Sequence, residues 1–374
     1  MARVAIKECS DYQYETVLCA VRKAIELLGG AQIFFQPKKK VLLKPNLLRR
    51  SDTNQCIVTH PMMVKAVAQI AIECGAVVTI ADSPGGPYTK SVLESLYKQT
   101  GYDVMAKEVG AVLNTNCDFE EVAFAEGKFL KHAKIIKPVI DADVIVNMPK
   151  LKTHGLTGMS GAVKNLYGTV AGLVKAEYHM RFSDMKNFCG ALVDIAQNAS
   201  PQLTIVDSVW AMQGQGPGSA GEPKFVGAIL AGQNIHAIDT VCAKIIGLKE
   251  VLTIKEAMIR GYDTIPQMVG DEIENFIKDD YKHAKTNQSL LYKVPKLVRI
   301  PLEKILSLRP IIDPKVCVLC GVCVRCCPAK AMSIQNRQVG IDYKKCVNCF
   351  CCHELCPQKA VKIKRSMLLR LLQR

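Results

Sequence analysis

Ten of the 17 cysteines are packed between Cys317 and Cys356, and eight of them follow a repeated pattern. The run CxxCxxCxxxCP occurs twice, and its copies end at Pro328 and Pro357. In such a run, two-residue gaps let three thiolates of one turn reach three irons of a 4Fe–4S cubane, while the fourth thiolate binds the other cluster. The spacing therefore predicts two 4Fe–4S clusters, whose ligands are Cys317, Cys320, Cys323 and Cys356 for one and Cys327, Cys346, Cys349 and Cys352 for the other.

Zinc is the alternative metal, because CxxC pairs also form tetrahedral sites of four thiolates. Zinc sites generally use two CxxC pairs about 15–20 residues apart and do not need a CxxCxxCxxxCP run, so the spacing favours iron–sulfur. Residues 315–363 closely resemble a bacterial-type ferredoxin with two 4Fe–4S clusters, and the resemblance implies transfer of single electrons. We expect Cys326 and Cys351, which lie outside the ligand pattern, to be small buried residues near the clusters.

Basic residues surround these cysteines, at Lys315, Arg325, Lys330, Lys344, Lys345 and Lys359. Positive charge raises the potential of a cluster and favours docking of an acidic redox partner protein. The formal net charge of the chain is +15, and two oxidised clusters with their thiolates, at about −2 each, reduce it to about +11. With 6% aromatic residues, one Trp and no recognised nucleic-acid module, the composition argues against a nucleic-acid partner.

The composition, 49% hydrophobic and 22% charged, is that of a folded globular protein. No run of about 18 apolar residues is free of an interrupting charge or polar cluster, so we expect no transmembrane segment. The first residues, MARVAIKECSDYQYE, lack the apolar core and cleavage site of a signal peptide. We therefore expect a cytoplasmic protein, in which clustered cysteines more often bind metal than form disulfides.

The elements that precede the cysteines alternate between strands and helices. Predicted strands lie at 4–7, 40–44, 76–81, 144–147 and 203–206, and predicted helices at 14–28 and 61–74. This alternation predicts an α/β domain over residues 1–280, with a mostly parallel sheet and helices on both faces. A basic connector (281–314), a small α+β two-cluster ferredoxin-like domain (315–363) and a basic amphipathic tail (364–374) follow.

Polar or glycine-rich segments follow four of the predicted strands. In parallel sheets, ligands bind beyond the carboxyl ends of the strands, so these segments are candidates for one site. Residues 149–168 contain lysines, hydroxyls and glycines, and predict an anion-binding loop that leads into a helix. The alternative is an ordinary solvated loop. The candidate binding residues of all four segments are Lys44, Asn46, Asp82, Gly85, Gly86, Lys150, Thr153, Lys164, Asn165, Asp207 and Gly216.

Several of these segments together resemble the domain of unknown function family 362, over roughly residues 1–260. The resemblance rests on Lys44-Pro45-Asn46, Asp82-Ser83-Pro84-Gly85, the PKLKTH and SGAVKNLYG parts of residues 149–168, Asp207 with the glycine-rich loop after it, and Asp239. It implies a globular α/β domain, a redox role when fused to a ferredoxin module, and no settled substrate. The chain contains neither the GxGxxG nor the GxxxxGK[ST] nucleotide motif.

Three hypotheses of function follow. In the first, a ferredoxin-type oxidoreductase passes electrons to or from FMN, a deazaflavin or an anionic substrate in the large domain, with Lys152 and His154 as the catalytic residues. A loop histidine bonded to the backbone is the alternative for His154, and a helix cap is the alternative for Asp82 and Asp207. The second hypothesis is a non-enzymatic electron carrier or assembly factor whose large domain docks a partner. The third is a nucleic-acid-associated redox protein.

Overall fold

The computed structural model describes residues 1–182, 184–284 and 308–364. Of the predicted connector, residues 281–284 and 308–314 are among them, and of the predicted tail only Lys364 is. The rest of these two predicted segments lies outside the described residues. Among the described residues, no helix is long and apolar enough to cross a membrane.

The large domain contains strands, α-helices and short 3-10 turns. Its strands are β1 (Ala2–Glu8), β2 (Lys40–Pro45), β3 (Val77–Ile80), β4 (Val112–Leu113), β5 (Phe119–Ala123), β6 (His132–Ile136), β7 (Val144–Met148), β8 (Lys150–His154), β9 (Gly158–Ser160), β10 (Leu203–Gly214), β11 (Gly221–Gly232) and β12 (Pro266–Gly270). Its helices are α1 (Tyr14–Glu26), α2 (Pro61–Glu73), α3 (Lys90–Thr100), α4 (Tyr102–Val109), α5 (Lys137–Ile140), α6 (Ala162–Asn165), α7 (Val174–Arg181), α8 (Met185–Ala199), α9 (Ile235–Ile245) and α10 (Leu252–Ile259).

Most strands of the large domain form one sheet, in the order β12-β1-β11-β10-β7-β2-β3-β4, and β8 and β9 extend it beside β10. Strand β11 is antiparallel to β1 and β10, and β9 is antiparallel to β8, whereas the other pairs of this sheet are parallel. Alternate side chains pack on opposite faces: Leu42 joins the core under α8 and α9, and Val41 and Leu43 join the core under α1 and α2. The predicted fold class is confirmed.

Two local predictions are wrong. Strand β10 was expected to end before Asp207, but it continues to Gly214 because it pairs with β11 along almost its whole length. Asp207 therefore lies within a strand rather than beyond one. The predicted anion-binding loop is instead a hairpin of β8 and β9, because Leu151 and Met159 are buried in the core and Lys152 pairs with Ser160. The helix expected after it is present as α6.

The small module has the predicted α+β character and an internal repeat. It contains β13 (Arg309–Ile312), α11 (Val322–Arg325), β14 (Met332–Gln335), β15 (Gln338–Ile341), α12 (Cys351–Leu355) and β16 (Val361–Lys364), with β13 antiparallel to β16 and β14 antiparallel to β15. Residues at equivalent positions of the two cysteine runs share a left-handed backbone, as in Leu319 with Asn348 and Lys330 with Lys359. The sequence repeat is therefore also a repeat of backbone conformation.

The module packs on the carboxyl edge of the sheet through close contacts. The Ser219 hydroxyl donates to the carbonyl oxygen of Cys356 at 2.8 Å and accepts from Arg49 at 2.7 Å. Leu48, just beyond β2, packs against the core of the module. The backbones also approach closely, since a Cβ at Gly218 would lie 2.3 Å from the carbonyl oxygen of Glu354.

We predict that Gly218→Ala loosens the module from the large domain, because the added methyl group overlaps the backbone of α12. Overpacking of this kind costs about 1–3 kcal/mol. Hydrogen exchange of the α12 amides should become about tenfold faster, while exchange in β2 and β7 stays unchanged. Gly340→Ala is the matched control, because a Cβ there meets only the Ser333 hydroxyl at 3.9 Å. Equal α12 exchange in Gly218→Ala and the wild type would contradict this account of the interface.

Candidate functional site

A cavity of about 100 Å³ lies where the module meets the carboxyl edge of the sheet, and we call it the interdomain cavity. From the large domain it is lined by Asn46, Leu48, Asp82, Ser83, Gly85, Gly86, Lys150, Lys152, His154, Ser160, Gly161, Lys164, Asn165, Tyr167, Gly168, Gly172, Leu173, Lys175, Ala176, His179 and Pro217. From the module it is lined by Cys326, Cys351, Glu354 and Leu355.

Two buried lysines at this edge are neutralised by carboxylates. Lys44 donates to Asp82 at 2.7 Å, and Asp82 also accepts from the Leu47 amide at 2.7 Å. Lys150 donates to Asp207 at 2.9 Å, and the hydroxyl of Tyr12 donates to the same carboxylate at 2.6 Å. These buried pairs are electrically balanced, so they hold the strand ends together without attracting a further anion.

Three other lysines at the cavity have no carboxylate within 4.0 Å in the part of the chain that the structure describes. Lys152 donates to Asn46 Oδ1 at 2.6 Å and to the carbonyl of Ile57, and Lys175 donates to Ser83 Oγ and to the carbonyl of Val170, both at 2.7 Å. Lys164 Nζ lies 4.4 Å from the centre of the Tyr167 ring. The cavity therefore carries an excess of positive charge.

Burial shifts the protonation of these groups strongly. It lowers the pKa of Lys152 and of Lys175 to about 7, and the neighbouring carboxylates Glu354 and Asp82 only partly oppose it. Burial also lowers the pKa of Lys164. Burial raises the pKa of Glu354 to about 7, against the pull of Lys164 and Lys152. An anion bound here would favour the charged form of each lysine.

His154 faces the cavity and is also bonded to the backbone. Its Nδ1 accepts from the amides of Leu156 at 3.0 Å and Thr157 at 3.3 Å, which assigns the proton to Nε2. Nε2 lies 3.4 Å from Glu354 Oε1 across the domain boundary. Burial and the nearby lysines lower the pKa of His154 well below its usual value. The imidazole is therefore neutral, with one N–H directed at the module.

Nine of the predicted site residues line the interdomain cavity, namely Asn46, Asp82, Gly85, Gly86, Lys150, Lys152, His154, Lys164 and Asn165. Four do not. Lys44 lies beneath Asp82, Asp207 lies behind Lys150, Thr153 donates to the carbonyl of Met212, and the carbonyl of Gly216 accepts from the Gly155 amide. The side chain of Thr153 points away from the interdomain cavity because alternate residues of β8 face opposite sides of the strand.

The polar cavity residues that were not predicted from the sequence include Ser83, Lys175, His179 and Glu354. Lys175 and His179 are four residues apart on α7, so their spacing places them on one helix face, and this was an available signal. Ser83 directly follows Asp82, in a segment already singled out. Glu354 lies between two cluster cysteines, and only the docking of the two domains brings it to the cavity.

The module contains two further cavities of equal volume, each lined by one predicted set of cysteines. Cys317, Cys320, Cys323 and Cys356 line the first, and Cys327, Cys346, Cys349 and Cys352 line the second. The other residues that line the first cavity are apolar or glycine, except for Gln358. Those that line the second are apolar, except for the additional thiol of Cys351. Amides of Ala331 and Ala360 donate to the sulfurs of Cys327 and Cys356 at 3.2 and 3.3 Å. Four thiols around an apolar cavity fit a 4Fe–4S cubane.

Comparison with known proteins agrees with this architecture. The model of the domain of unknown function DUF362 matches residues 41–244, and the model of a 4Fe-4S dicluster domain matches residues 309–357. The chain therefore belongs to the DUF362 family and carries a 4Fe–4S ferredoxin-type domain, which makes it an iron–sulfur protein. The resemblances seen in the sequence are confirmed, while the exact domain boundaries and the cytoplasmic location stay predictions.

A curated relative is the Thylakoid-associated protein sll1697 of Synechocystis sp., which is 34% identical over 252 residues, or 66% of this chain and 74% of that protein. Among solved structures, the apoprotein of lactate racemase from Thermoanaerobacterium thermosaccharolyticum aligns with a TM-score of 0.43 and 15% identity, over 66% of this chain. The chain spans 57% of the length of that structure.

We predict that Lys175→Met stabilises the protein, because it removes a buried charge that has no carboxylate partner. The gain should be about 1–3 kcal/mol at pH 6 and smaller at pH 9. The folded pKa of Lys175 is about 7, below its unfolded value. Between these two values the unfolded state binds more protons, so the wild type recovers stability as the pH rises above 7.

The measurement is the free energy of unfolding in denaturant at pH 6 and pH 9, with the clusters intact. Lys255→Met is the control, because Lys255 is exposed on α10, and its effect should be small at both values of pH. A Lys175→Met variant that is less stable than the wild type at pH 6 would show that the ammonium group stabilises the fold.

Proposed function

We propose that the protein is an iron–sulfur oxidoreductase that passes electrons between two 4Fe–4S clusters and an anionic organic molecule in the interdomain cavity. One observation carries this proposal: Cys351 lines both the second cysteine cavity and the interdomain cavity. A molecule held by the lysines would therefore lie against the wall of a cluster site. A bound molecule and a cluster on either side of Cys351 would lie close enough for electron transfer.

The proposed ligands of the first cluster are Cys317, Cys320, Cys323 and Cys356, and those of the second are Cys327, Cys346, Cys349 and Cys352. When bound, such clusters supply one-electron transfer, which a flavin or deazaflavin can couple to two-electron chemistry. The chain's own contribution is to hold the cysteines around apolar cavities and to donate amides to two of the sulfurs. Amide donors and burial both tune the cluster potential.

The lysines bind and orient the anionic molecule. Lys152, Lys164 and Lys175 surround it, and each has a pKa lowered by burial, so contact with an anion relieves an unfavourable charge. The module excludes water by closing over the sheet edge, and this strengthens each charge interaction. A charged, concave cavity between the two domains supports ligand binding over the alternative of a docking surface for a partner.

Lys152 is the proposed proton donor, and neutral His154 is the proposed hydrogen-bond donor to the bound molecule. The Nε2–H of His154 faces the cavity, and its fixed Nδ1 acceptor keeps the proton on that side. Lys152, with a pKa of about 7, exists in both protonation states at neutral pH, as general acid–base work requires. Glu354 also has a pKa of about 7, and it can exchange a proton with Lys152 through the bound molecule or water.

FMN and a deazaflavin remain the proposed organic cofactors, with a small anionic substrate as the alternative. At about 100 Å³ the interdomain cavity is too small to enclose the three-ring system of such a cofactor, so most of the cofactor would extend beyond it. The basic surface of the module supports an acidic protein as the electron donor.

We predict about eight iron atoms per chain in anaerobically purified protein, because each of two clusters holds four. Cys320→Ala and Cys349→Ala should each retain about four, since each removes a ligand of one cluster only. Cys326→Ala and Cys351→Ala are the matched controls and should retain about eight. Colorimetric iron analysis with electron paramagnetic resonance of the reduced protein measures this. Loss of a cluster from either control would contradict the proposed ligand sets.

We predict that Lys152→Ala weakens binding of the organic anion by at least about tenfold, because it removes one charge-assisted hydrogen bond. The measurements are mass spectrometry of the molecule that co-purifies and anaerobic titration with FMN and a 5-deazaflavin. Thr153→Val is the matched control on the same strand, since its side chain faces away from the cavity. The clusters should remain intact in both variants. The proposal fails if no organic anion co-purifies and neither probe binds the wild type.

A further inference from the structure

A second cavity opens beside the interdomain cavity, and its charged residues have no role in the site described above. It has a volume of about 440 Å³ and shares Gly85, Gly86, Cys326 and Leu355 with the interdomain cavity. Its remaining lining is Arg49, Arg50, Pro84, Pro87, Ser91, Val92, Ser95, Leu96, Val322, Arg325 and Pro357. We call it the arginine cavity.

The three guanidinium groups of the arginine cavity make hydrogen bonds only to neutral partners. Arg49 donates to the carbonyl of Arg50 and to Ser219 Oγ, both at 2.7 Å. Arg50 donates to Ser95 Oγ at 3.1 Å, and Arg325 donates to the carbonyl of Cys320 at 3.1 Å. In the part of the chain that the structure describes, no carboxylate lies within 4.0 Å of any of the three.

Arg49 retains an unused donor. Its Nε is buried and has no hydrogen-bond partner among the described residues. A buried charged donor without a partner costs free energy, so such a group is usually satisfied by a water or a ligand. Three positive charges facing one cavity, with no carboxylate partner among the described residues, favour an anion as the missing partner.

The number of donors indicates which kind of anion. Each guanidinium group offers up to five N–H donors in a planar fork, and the forks match the oxygens of phosphate or carboxylate. A carboxylate has only two oxygens, whereas a phosphoryl group presents three, and the serine hydroxyls add further donors. Three forks around one cavity therefore suit a phosphoryl group better than a carboxylate.

The two cavities adjoin along the four residues that line both of them. Leu355 packs tightly against Gly85, where a Cβ would lie 2.7 Å from Leu355 Cδ2, whereas a Cβ at Gly86 would meet no atom within 4 Å. Space for a connecting chain is therefore present beside Gly86. The interdomain cavity is also too small for a whole cofactor with a side chain, and the arginine cavity is about four times larger.

We propose that the arginine cavity binds the phosphoryl group of the molecule whose reactive part lies in the interdomain cavity. This proposal rests on the proposed function, and it adds the substrate class: an elongated organic molecule that ends in a phosphate ester. Free phosphate offers the same chemistry as a phosphate ester, so the experiment must separate the two sources.

The first measurement is isothermal titration of the anaerobic holoprotein with inorganic pyrophosphate. Arg49→Gln and Arg325→Gln should each weaken its binding by about tenfold, the effect of losing one charge-assisted hydrogen bond. Arg3→Gln is the matched control, because Arg3 is exposed at β1, and it should bind pyrophosphate like the wild type. Unchanged binding in both arginine variants, or no binding to the wild type, would overturn the proposal.

The second measurement compares FMN with riboflavin, which lacks the phosphate. The wild type should bind FMN at least about tenfold more tightly, and Arg325→Gln should remove most of that difference. Equal binding of FMN and riboflavin, with pyrophosphate still bound at the arginines, would mean a site for free phosphate and would overturn the link between the cavities. Pyrophosphate binding at the arginines with no flavin bound by the wild type would also overturn that link.

The failures of the two proposals are distinguishable. The proposed function depends on Lys152 and the organic anion, whereas this inference depends on Arg49 and Arg325 and the phosphoryl group. Iron content and circular dichroism check that each variant is folded. If Arg49→Gln does not fold, Arg325→Gln carries the test, because Arg325 is exposed at the surface of the module.

Discussion

The burial of lysine ammonium groups without carboxylate partners is the constraint on which the rest of this structure depends. Removing a charge from water is costly, and a protein normally offsets the cost with a nearby opposite charge. Lys44 and Lys150 have such partners in Asp82 and Asp207. Among the described residues, Lys152 and Lys175 donate only to neutral groups, and Lys164 lies over aromatic rings. Burial of apolar side chains in the two hydrophobic cores, one on each face of the sheet, must offset the free-energy cost of burying these charges. The anion of the proposed function would supply the negative charge that these lysines lack.

Neither domain forms this site alone. Strand β8 delivers its polar side chains to the sheet edge, and α7 adds Lys175 and His179 from the other side. Glu354 and the thiols of Cys326 and Cys351 complete the wall only when the module is docked. Docking also removes water, which explains why the pKa values of the lysines fall and that of Glu354 rises. The electrostatics of the large domain and the position of the cluster cysteines are therefore consequences of one interface.

The local features of this structure follow from the sequence, and the features that depend on docking do not. The partition of eight cysteines between two cavities was predicted, because the ligand spacing is a short-range property of one chain segment. The common side of Lys150, Lys152 and His154 follows from alternation along a strand, once residues 150–154 are known to be a strand. The sequence does not predict this strand, because the glycines and hydroxyls near Lys150, Lys152 and His154 are equally typical of a loop. The position of Asp207 depends on how far β11 pairs with β10, which no local pattern reveals. Only docking of the module brings Glu354 to the interdomain cavity and places Arg49 and Arg325 in one cavity.

The pKa values of the cavity give the proposed electron transfer a way to keep its charge balanced. Adding electrons to an anionic molecule in a partly enclosed cavity between two domains is unfavourable unless positive charge arrives with them. Lys152 and Lys175 have pKa values of about 7, so near neutral pH each holds a proton only part of the time. A more negative ligand would raise both pKa values and draw protons onto these lysines without any movement of the chain. The unpaired lysines therefore serve two roles in the proposed function, as the groups that bind the anion and as the reserve of charge that makes its reduction feasible.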